Sequence, residues 1–271
     1  MEAATASASS VGSAPPPLRF VLVSDTHGLH HDPSFAHATP KGDVLIFAGD
    51  AGLDGDADIQ RFEHWLKKQP HKHKVVVFGN MDAAAARGAG ARREPRRRLA
   101  PGGPGKPAPA SDTCIGLEGA TVICDRIIEV GGYRIAGSPW TPAFYGQWQL
   151  EGEAEAHAHW RSLLPPHARV DVLVTHGPPA GYGDTSKGRH VGDAALMAAV
   201  QAMEVPPKLW VVGHIHESYG VHRMPHPRAP GGSITLVNAA VANLAKGDQS
   251  AAPRAVDLPS GTVHEPGSLA A

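Results

Sequence analysis

Residues 18–27 read Leu-Arg-Phe-Val-Leu-Val-Ser-Asp-Thr-His, a stretch that passes from apolar residues to a carboxylate and an imidazole. Its apolar core, Phe20–Val23, does not alternate with polar residues. Strands that are apolar throughout are covered on both faces, as in layered α/β proteins. The stretch therefore predicts a buried strand with Asp25 and His27 just beyond its carboxyl end.

Four later runs repeat this design, and each is followed by a side chain that can bind metal. The runs are Val44–Ala48, Val75–Phe78, Val170–Val174 and Leu209–Val212. The polar residues that follow them are Asp50, Asn80, His176, and His214 with His216. In open α/β sheets ligands bind beyond the carboxyl ends of strands, so we expect these side chains to converge on one crevice.

Helical patterns separate several of these strands. One begins near Asp56, a candidate N-cap, and a second is predicted at Ala194–Met203 with Asp193 as its cap. Two weaker strands, around Thr121–Val130 and Tyr133–Ala136, predict a hairpin. The alternation of strands and helices predicts a layered α/β fold.

The composition predicts one folded domain at residues 18–245, between two tails. Residues 1–17 are rich in Ala, Ser and Pro and predict a disordered tail, and residues 246–271 predict an irregular one. Residues 83–112 contain Ala, Gly, Pro and six arginines but almost no large apolar residues, so we expect a disordered insertion outside the core. The arginines are either an anion or nucleic-acid patch or a solvated loop.

Net charge, the length of the apolar runs and the cysteine content limit the classes of partner and the compartment. The formal net charge of −1 gives no overall field for nucleic acid, and no apolar stretch approaches the ~18 residues of a membrane span. Cys114 and Cys124, the two cysteines of the chain, predict free thiols in a reducing compartment and hence a cytoplasmic protein. The N-terminal tail leaves organelle targeting open, and the oligomeric state is also open.

The candidate ligands together have a definite chemistry. Any one of them alone is more simply explained as a helix cap, a turn residue or a hydrogen-bonded structural histidine. As a set of carboxylates, imidazoles and an amide they suit Mn, Fe or Zn ions. Seven ligands are too many for one tetrahedral zinc, but they suit two divalent transition metals that share a bridging carboxylate.

The order of these motifs resembles that of the calcineurin-like metallophosphoesterases. The series is Asp25-Thr-His27, Gly49-Asp50, Gly79-Asn80-Met81-Asp82, His176-Gly177 and Gly213-His214-Ile-His216. Trp140-Thr-Pro-Ala-Phe144 and His176-Gly-Pro-Pro179 are similar to the small metallophosphoesterase-domain branch. The resemblance implies two packed mixed β-sheets flanked by helices.

The resemblance also implies a role for each ligand. Asp25, His27 and His216 would hold one metal, and Asn80, His176 and His214 the other. Asp50 would bridge the two, and Asp50 and Asn80 would be catalytic. The substrate would contact Asn80, Met81, His176 and His214. The implied reaction is hydrolysis of small phosphate esters, such as the phosphodiesters of cyclic nucleotides, by a hydroxide that bridges both metals.

Met81 departs from the family pattern, which has a histidine after the metal-binding Asn. A thioether has no proton to give to a leaving group. We therefore expect either a weaker enzyme, with His30 as a substitute proton donor, or His30 as a simple loop residue. The alternative is a regulatory protein that binds metal or nucleotide with low turnover, and a nuclease is a third hypothesis, supported by the arginine-rich insertion alone.

Other histidines and aromatic residues carry less weight. We expect solvated positions for the pairs His71 with His73 and His157 with His159. The aromatic residues near the Trp140 motif form either a substrate wall or part of the core. Those residues are Trp140, Phe144 and Tyr145.

Overall fold

The computed structural model of the protein describes residues 15–32, 35, 39–86, 114–229, 232–242 and 252–265. Two six-stranded mixed sheets dominate it, which confirms the layered α/β prediction. The first sheet contains Leu18–Val23 (β1), Val44–Ala48 (β2), His73–Val77 (β3), Thr121–Val122 (β4), Arg254–Leu258 (β15) and Thr262–His264 (β16). Its strand order is β16-β15-β1-β2-β3-β4.

The second sheet contains Arg126–Val130 (β5), Tyr133–Ser138 (β6), Val172–Thr175 (β9), Leu209–Val212 (β12), Gly220–Pro225 (β13) and Ser233–Asn238 (β14). Its order is β13-β14-β12-β9-β6-β5, and β5 with β6 forms the predicted hairpin. Two short pairs join Thr141–Pro142 (β7) to Gln149–Leu150 (β8) and Thr185–Ser186 (β10) to Arg189–His190 (β11).

In the described part of the chain three α-helices flank the sheets, and their ends refine the predicted caps. They are Asp56–Lys68 (α1), Glu153–Leu163 (α2) and Ala194–Ala202 (α3). Asp193 Oδ1 accepts the Leu196 N–H at 2.9 Å, which confirms the cap of α3. Asp56 is not the cap of α1, because it is already helical and Gly55 takes the cap position.

The core has three layers because neighbouring residues of one strand face opposite sides. Phe20 and Leu22 pack between the two sheets, whereas Val21 and Val23 pack under α1. A third cluster covers the outer face of the second sheet with residues from α2 and α3. This double coverage explains why the predicted strands are apolar without alternation.

Parallel pairing sets the position of the polar residues. β1, β2 and β3 are parallel neighbours, as are β6, β9, β12 and β14. The carboxyl ends of each set therefore lie on one edge. Ser24 N donates to Ala239 O at 2.9 Å, so the segment after β1 is joined to the segment after β14. The loops that carry the candidate ligands meet there.

Two predicted boundaries are wrong in part. The C-terminal segment was expected to be irregular, but β15 pairs with β1 and β16 forms the edge of the first sheet, with Val256 and Leu258 buried. The segment 83–86 was expected outside the core, but Ala84 and Ala85 are buried in a short 3₁₀ turn. Residues 87–113, which carry all six arginines of the insertion, lie outside the described residues, as does the tail at 1–14.

The prediction of free thiols is wrong, because Cys114 and Cys124 form a disulfide. The cysteines therefore no longer support a reducing compartment, and the cytoplasmic location stays a prediction. Across the described part of the chain, no helix has both the length and the apolar character needed to cross a bilayer.

Two histidines predicted to be solvated are buried by partners distant in sequence. His71 is buried, and its Nε2 lies 3.0 Å from Pro40 O. His159 lies on α2 with its Nε2 3.2 Å from Ser138 Oγ and 3.3 Å from Asp125 Oδ1. The sequence near either residue contains no sign of these contacts.

Candidate metal centre

The structure brings the predicted ligands together at the carboxyl ends of five strands. Asp25 and His27 follow β1, Asp50 follows β2, Asn80 follows β3, His176 follows β9, and His214 and His216 follow β12. Six of them form two groups, in each of which the potential ligand atoms lie within 4.8 Å of one another. The groups are Asp25 with His27 and His216, and Asp50 with His176 and His214.

The first group is centred on the buried Asp25. His216 Nε2 lies 3.1 Å from Asp25 Oδ1 and 3.2 Å from His27 Nε2. The Asp25 carboxylate also accepts the backbone N–H of His214 at 2.9 Å. His27 Nε2 lies 3.9 Å from both Asp25 Oδ1 and Asp50 Oδ2, so the two groups are neighbours.

The second group is centred on the fully buried His176. Its Nδ1 lies 2.9 Å from Ala48 O, a contact that requires Nδ1 to carry the proton and donate. Its Nε2 then faces Asn80 Oδ1 at 3.0 Å and Asp50 Oδ1 at 3.3 Å. Asn80 Nδ2 donates to Tyr145 O at 2.9 Å, which directs the amide oxygen toward His176.

The geometry of this group fits a cation. An imidazole nitrogen, an amide oxygen and a carboxylate oxygen converge with their lone pairs toward one point. Such a cluster is stable only when a positive charge occupies it, either a proton on His176 or a metal ion. The donor set suits a borderline transition metal.

The electrostatics of the cation-free site agree with that requirement. Burial alone would lower the pKa of His176, but the carboxylates of Asp50 and Asp25 raise it to about 9. Burial opposes ionisation of Asp25, yet the hydrogen bond from His216 and the charge of His176 hold its pKa below the usual range. Burial and the neighbouring His176 lower the pKa of His214 to about 4. A metal ion would take over the charge that His176 carries without it.

Four of the candidate ligands have left-handed backbone conformations that non-glycine residues adopt rarely. The φ angles are 54° at Asp25, 43° at His27, 58° at Asp50 and 65° at His214. Such conformations cost about 1–3 kcal/mol each and cluster at functional sites. The strain turns these side chains off the strand ends and toward one another.

Glycines beside the ligands allow this crowding. A Cβ at Gly49 would overlap the His176 ring, and one at Gly79 would overlap the Asp50 carboxylate. A Cβ at Gly213 would overlap Ser24 and the Asp25 carboxylate. The glycines quoted with the motifs are therefore needed for close approach.

Asp82 is a structural residue of the site to which the sequence assigned no role. Its buried carboxylate accepts N–H groups from Asp50, Gly79, Gly52 and Leu53 at 2.9–3.2 Å. It thereby ties the loop after β2 to the loop after β3. The sequence feature that could have identified Asp82 is its position two residues after Asn80. Burial and the Asp50 carboxylate raise its pKa.

His30 and Met81 lie in contrasting places. His30 is only 3% exposed, its Nδ1 lies 2.8 Å from Thr26 Oγ1, and its ring packs against Phe62 and Trp65. This burial lowers its pKa to about 3 and argues against the predicted role of proton donor, because a substrate cannot reach the ring. Met81 is half-buried, and its N–H donates to Asp50 Oδ1 at 2.8 Å.

The predicted aromatic wall divides into two parts. Trp140 is half-buried, and its Nε1–H donates to Asp125 Oδ2 at 2.8 Å. Phe144 and Tyr145 are exposed, and the Phe144 ring meets that of His214 edge-on with 6.1 Å between centroids. Phe144 therefore borders the candidate metal centre, whereas Trp140 anchors the loop.

The chain is similar to several known proteins. The family model for calcineurin-like phosphoesterase matches residues 18–218. Metallophosphoesterase domain-containing protein 1 of Homo sapiens is 36% identical over 231 residues, covering 83% of this chain and 67% of that protein. UPF0046 protein C25E10.12 of Caenorhabditis elegans is 32% identical over 231 residues, covering 83% of this chain and 75% of that protein.

A solved structure, the phosphopantetheinyl hydrolase of Mycobacterium tuberculosis, matches at 15% identity with a TM-score of 0.49, over 89% of this chain and 95% of its own. The family match extends from β1 to the 3₁₀ turn at His216–Ser218, so it spans all the candidate ligands. The chain belongs to the calcineurin-like phosphoesterases, in the branch of the metallophosphoesterase domain-containing proteins.

Proposed function

We propose that the protein is a metal-dependent hydrolase of small phosphate esters, with phosphodiesters such as cyclic nucleotides as its preferred class. The observation that carries this proposal is the pair of adjoining ligand groups, which approach to 3.9 Å between His27 Nε2 and Asp50 Oδ2. Two metal ions in such a site supply an activated water and electrostatic stabilisation of the phosphoryl group.

Each part of the chain has a distinct task in this proposal. Asp25, His27 and His216 hold one cation, while Asn80, His176 and His214 hold the other. Asp50 contributes to both, because its Oδ1 faces His176 and its Oδ2 faces His27. Asp82 and the Met81 N–H orient the Asp50 loop and carboxylate. Asn80, Met81, His176 and His214 face the bound phosphate ester.

A second function is favoured by Met81. Without a proton donor at this position the protein would bind metal and nucleotide but turn over slowly, as a regulatory protein. The complete set of ligands argues for catalysis, since a binding module does not need all seven. Turnover on a range of esters separates the two functions.

The experiment is a screen of the manganese-loaded protein against aryl phosphodiesters, phosphomonoesters and cyclic nucleotides, with Asp50→Asn as the inactive reference. We expect hydrolysis of at least one ester class by the wild type. Asp50→Asn should lose nearly all activity and bind both metals more weakly, because an amide cannot neutralise charge from two cations. Two metals bound with no hydrolysis would favour the regulatory function, and full activity in Asp50→Asn would contradict the site.

A further inference from the structure

A short apolar groove opens directly beside the candidate metal centre. It has a volume of about 250 Å³, and His214 belongs both to the groove wall and to the second ligand group. Its other lining residues are largely apolar and include Pro142, Phe144, Pro178, Val191 and Ile215. A ligand group in this groove would lie next to a phosphate held at the metals.

Both walls of the groove are tied to metal-binding elements. On one side, Asn80 Nδ2 donates to Tyr145 O and Gln147 N donates to Asn80 O, each at 2.9 Å, which holds the Phe144 loop to Asn80. On the other side, the hairpin of β10 and β11 is fixed to the turn after His216, because Ser218 Oγ accepts the Thr185 N–H at 2.7 Å. The position of the groove relative to the metals is therefore set by the fold.

The groove leaves large apolar side chains exposed. Among the described residues four large apolar side chains are classed as exposed, and two of them, Phe144 at 81% and Val191 at 47%, line this groove. Exposed aromatic surface next to a polar site is a common feature of ligand binding. The hairpin of β10 and β11 contributes Ser186 to this groove, and Val191 follows it directly.

The size and apolar lining of the groove decide which ligand group fits it. The volume lies below the roughly 300–1,000 Å³ of pockets that enclose a whole small molecule. The groove therefore suits one flat ring system, with the rest of the ligand outside it. An acyl chain would need a longer apolar channel, and a sugar phosphate would leave Phe144 uncovered. A nucleotide supplies both a flat ring with an aromatic face and an anion for the metals.

We propose that this groove binds the nucleobase of a nucleotide, with Phe144 and Val191 as its walls, while the phosphate of the same nucleotide lies at the metal centre. This inference rests on the proposed function and adds the residues that select nucleotides over other phosphate esters. Base stacking on an aromatic side chain tolerates every base, so we expect little discrimination among bases.

The test compares three ligands on the manganese-loaded full chain by isothermal titration calorimetry: inorganic phosphate, ribose 5-phosphate and adenosine 5′-monophosphate. The nucleotide should bind roughly 5- to 100-fold more tightly than ribose 5-phosphate, the range expected for one stacked base. Phe144→Ala, which removes an exposed ring, and Val191→Trp, which fills the groove, should each abolish this preference. Tyr145→Ala, an exposed aromatic neighbour that does not line the groove, should retain it.

The outcomes separate this inference from the proposed function. If phosphate binds and esters are hydrolysed but the base adds no affinity, the groove assignment alone is overturned. The same holds if the preference survives both Phe144→Ala and Val191→Trp. If neither phosphate nor ribose 5-phosphate binds and no ester is hydrolysed, both proposals fail.

Discussion

Met81 lies between the candidate ligand Asn80 and the buried Asp82, and its backbone N–H donates to Asp50 Oδ1. This hydrogen bond belongs to the backbone and would survive a change of side chain. The half-buried thioether has no proton to donate. With His30 buried in the core, no other residue assigned to the site replaces that proton.

A histidine at position 81 should therefore restore protonation of the leaving group. Met81→His should raise turnover on esters with alkyl or nucleoside leaving groups by up to roughly 10²-fold, because these need protonation. Aryl esters, which expel a stable phenolate, should change little. The measurement is kcat across esters of graded leaving-group pKa, with Met81→Leu as the control that keeps an apolar side chain.

Two results would refute this account of Met81. Equal acceleration of all esters would indicate better phosphate binding rather than acid catalysis. No change on any ester, with both metals retained, would mean that position 81 lies outside the reaction zone.

At the scale of elements, the strand-to-loop junctions carry the site. Each junction combines a buried strand, a close-packed glycine or a strained backbone, and a ligand. Gly79 provides a direct test of this design, since a Cβ there would overlap both Asp50 and His176. The residue itself binds nothing through a side chain.

Gly79→Ala should weaken metal binding at least tenfold, because Asp50 or His176 must move to make room. Gly116→Ala is the matched control, since a Cβ at Gly116 meets no atom within 4 Å. Metal affinity of the two variants, measured by competition with a chromogenic chelator, checks the prediction. Equal affinities in both would show that the junction is not close-packed in solution.

The elements also show what sequence patterns can predict. Five runs that are apolar throughout, such as Val44–Ala48, correctly predicted strands, because a strand buried on both faces is apolar along its whole length. The strands β13 to β16 mix polar with apolar residues, for example at Arg254–Leu258, and were missed. β13 pairs with the nearby β14 and β15 with the nearby β16, but these strands contain no continuous apolar run that would identify them.

The convergence of the candidate ligands was predicted more completely than the fold, since each of them directly follows a recognisable strand; their role as ligands stays a prediction. The residues that hold the ligands in place were missed or misassigned. His159 and Asp125 are brought together only by the tertiary fold, at 3.3 Å. The contacts of Asp82 and the pairing of Cys114 with Cys124 likewise depend on the tertiary fold.

For the whole molecule, the burial of His30 couples stability to pH. The unfolded chain binds a proton on His30 near pH 6.5, but the folded protein does so only near pH 3. Its contribution to stability is thus complete above pH 6.5 and is lost as the pH falls toward 3, by roughly 3–5 kcal/mol in total. Acid should unfold the protein steeply in this window.

The check is urea unfolding between pH 4 and 7 in the presence of a chelator, so that bound cations do not contribute. His30→Leu should flatten the dependence of the unfolding free energy on pH, whatever its effect on absolute stability. The exposed His167 provides the control, because His167→Leu should keep the wild-type slope. Identical slopes in all three proteins would mean that His30 titrates normally in the fold.

The claim on which the rest depends is that the two ligand groups hold two cations. The direct measurement is isothermal titration calorimetry of the chelator-treated full chain with Mn²⁺ and with Zn²⁺. Repeating it in buffers of different ionisation enthalpy gives the number of protons released on binding. We predict two cations per chain and, at pH 7.5, release of protons on binding, because His176 with a pKa of about 9 must give up its proton to coordinate. One cation or none per chain, or binding without proton release, would contradict the account.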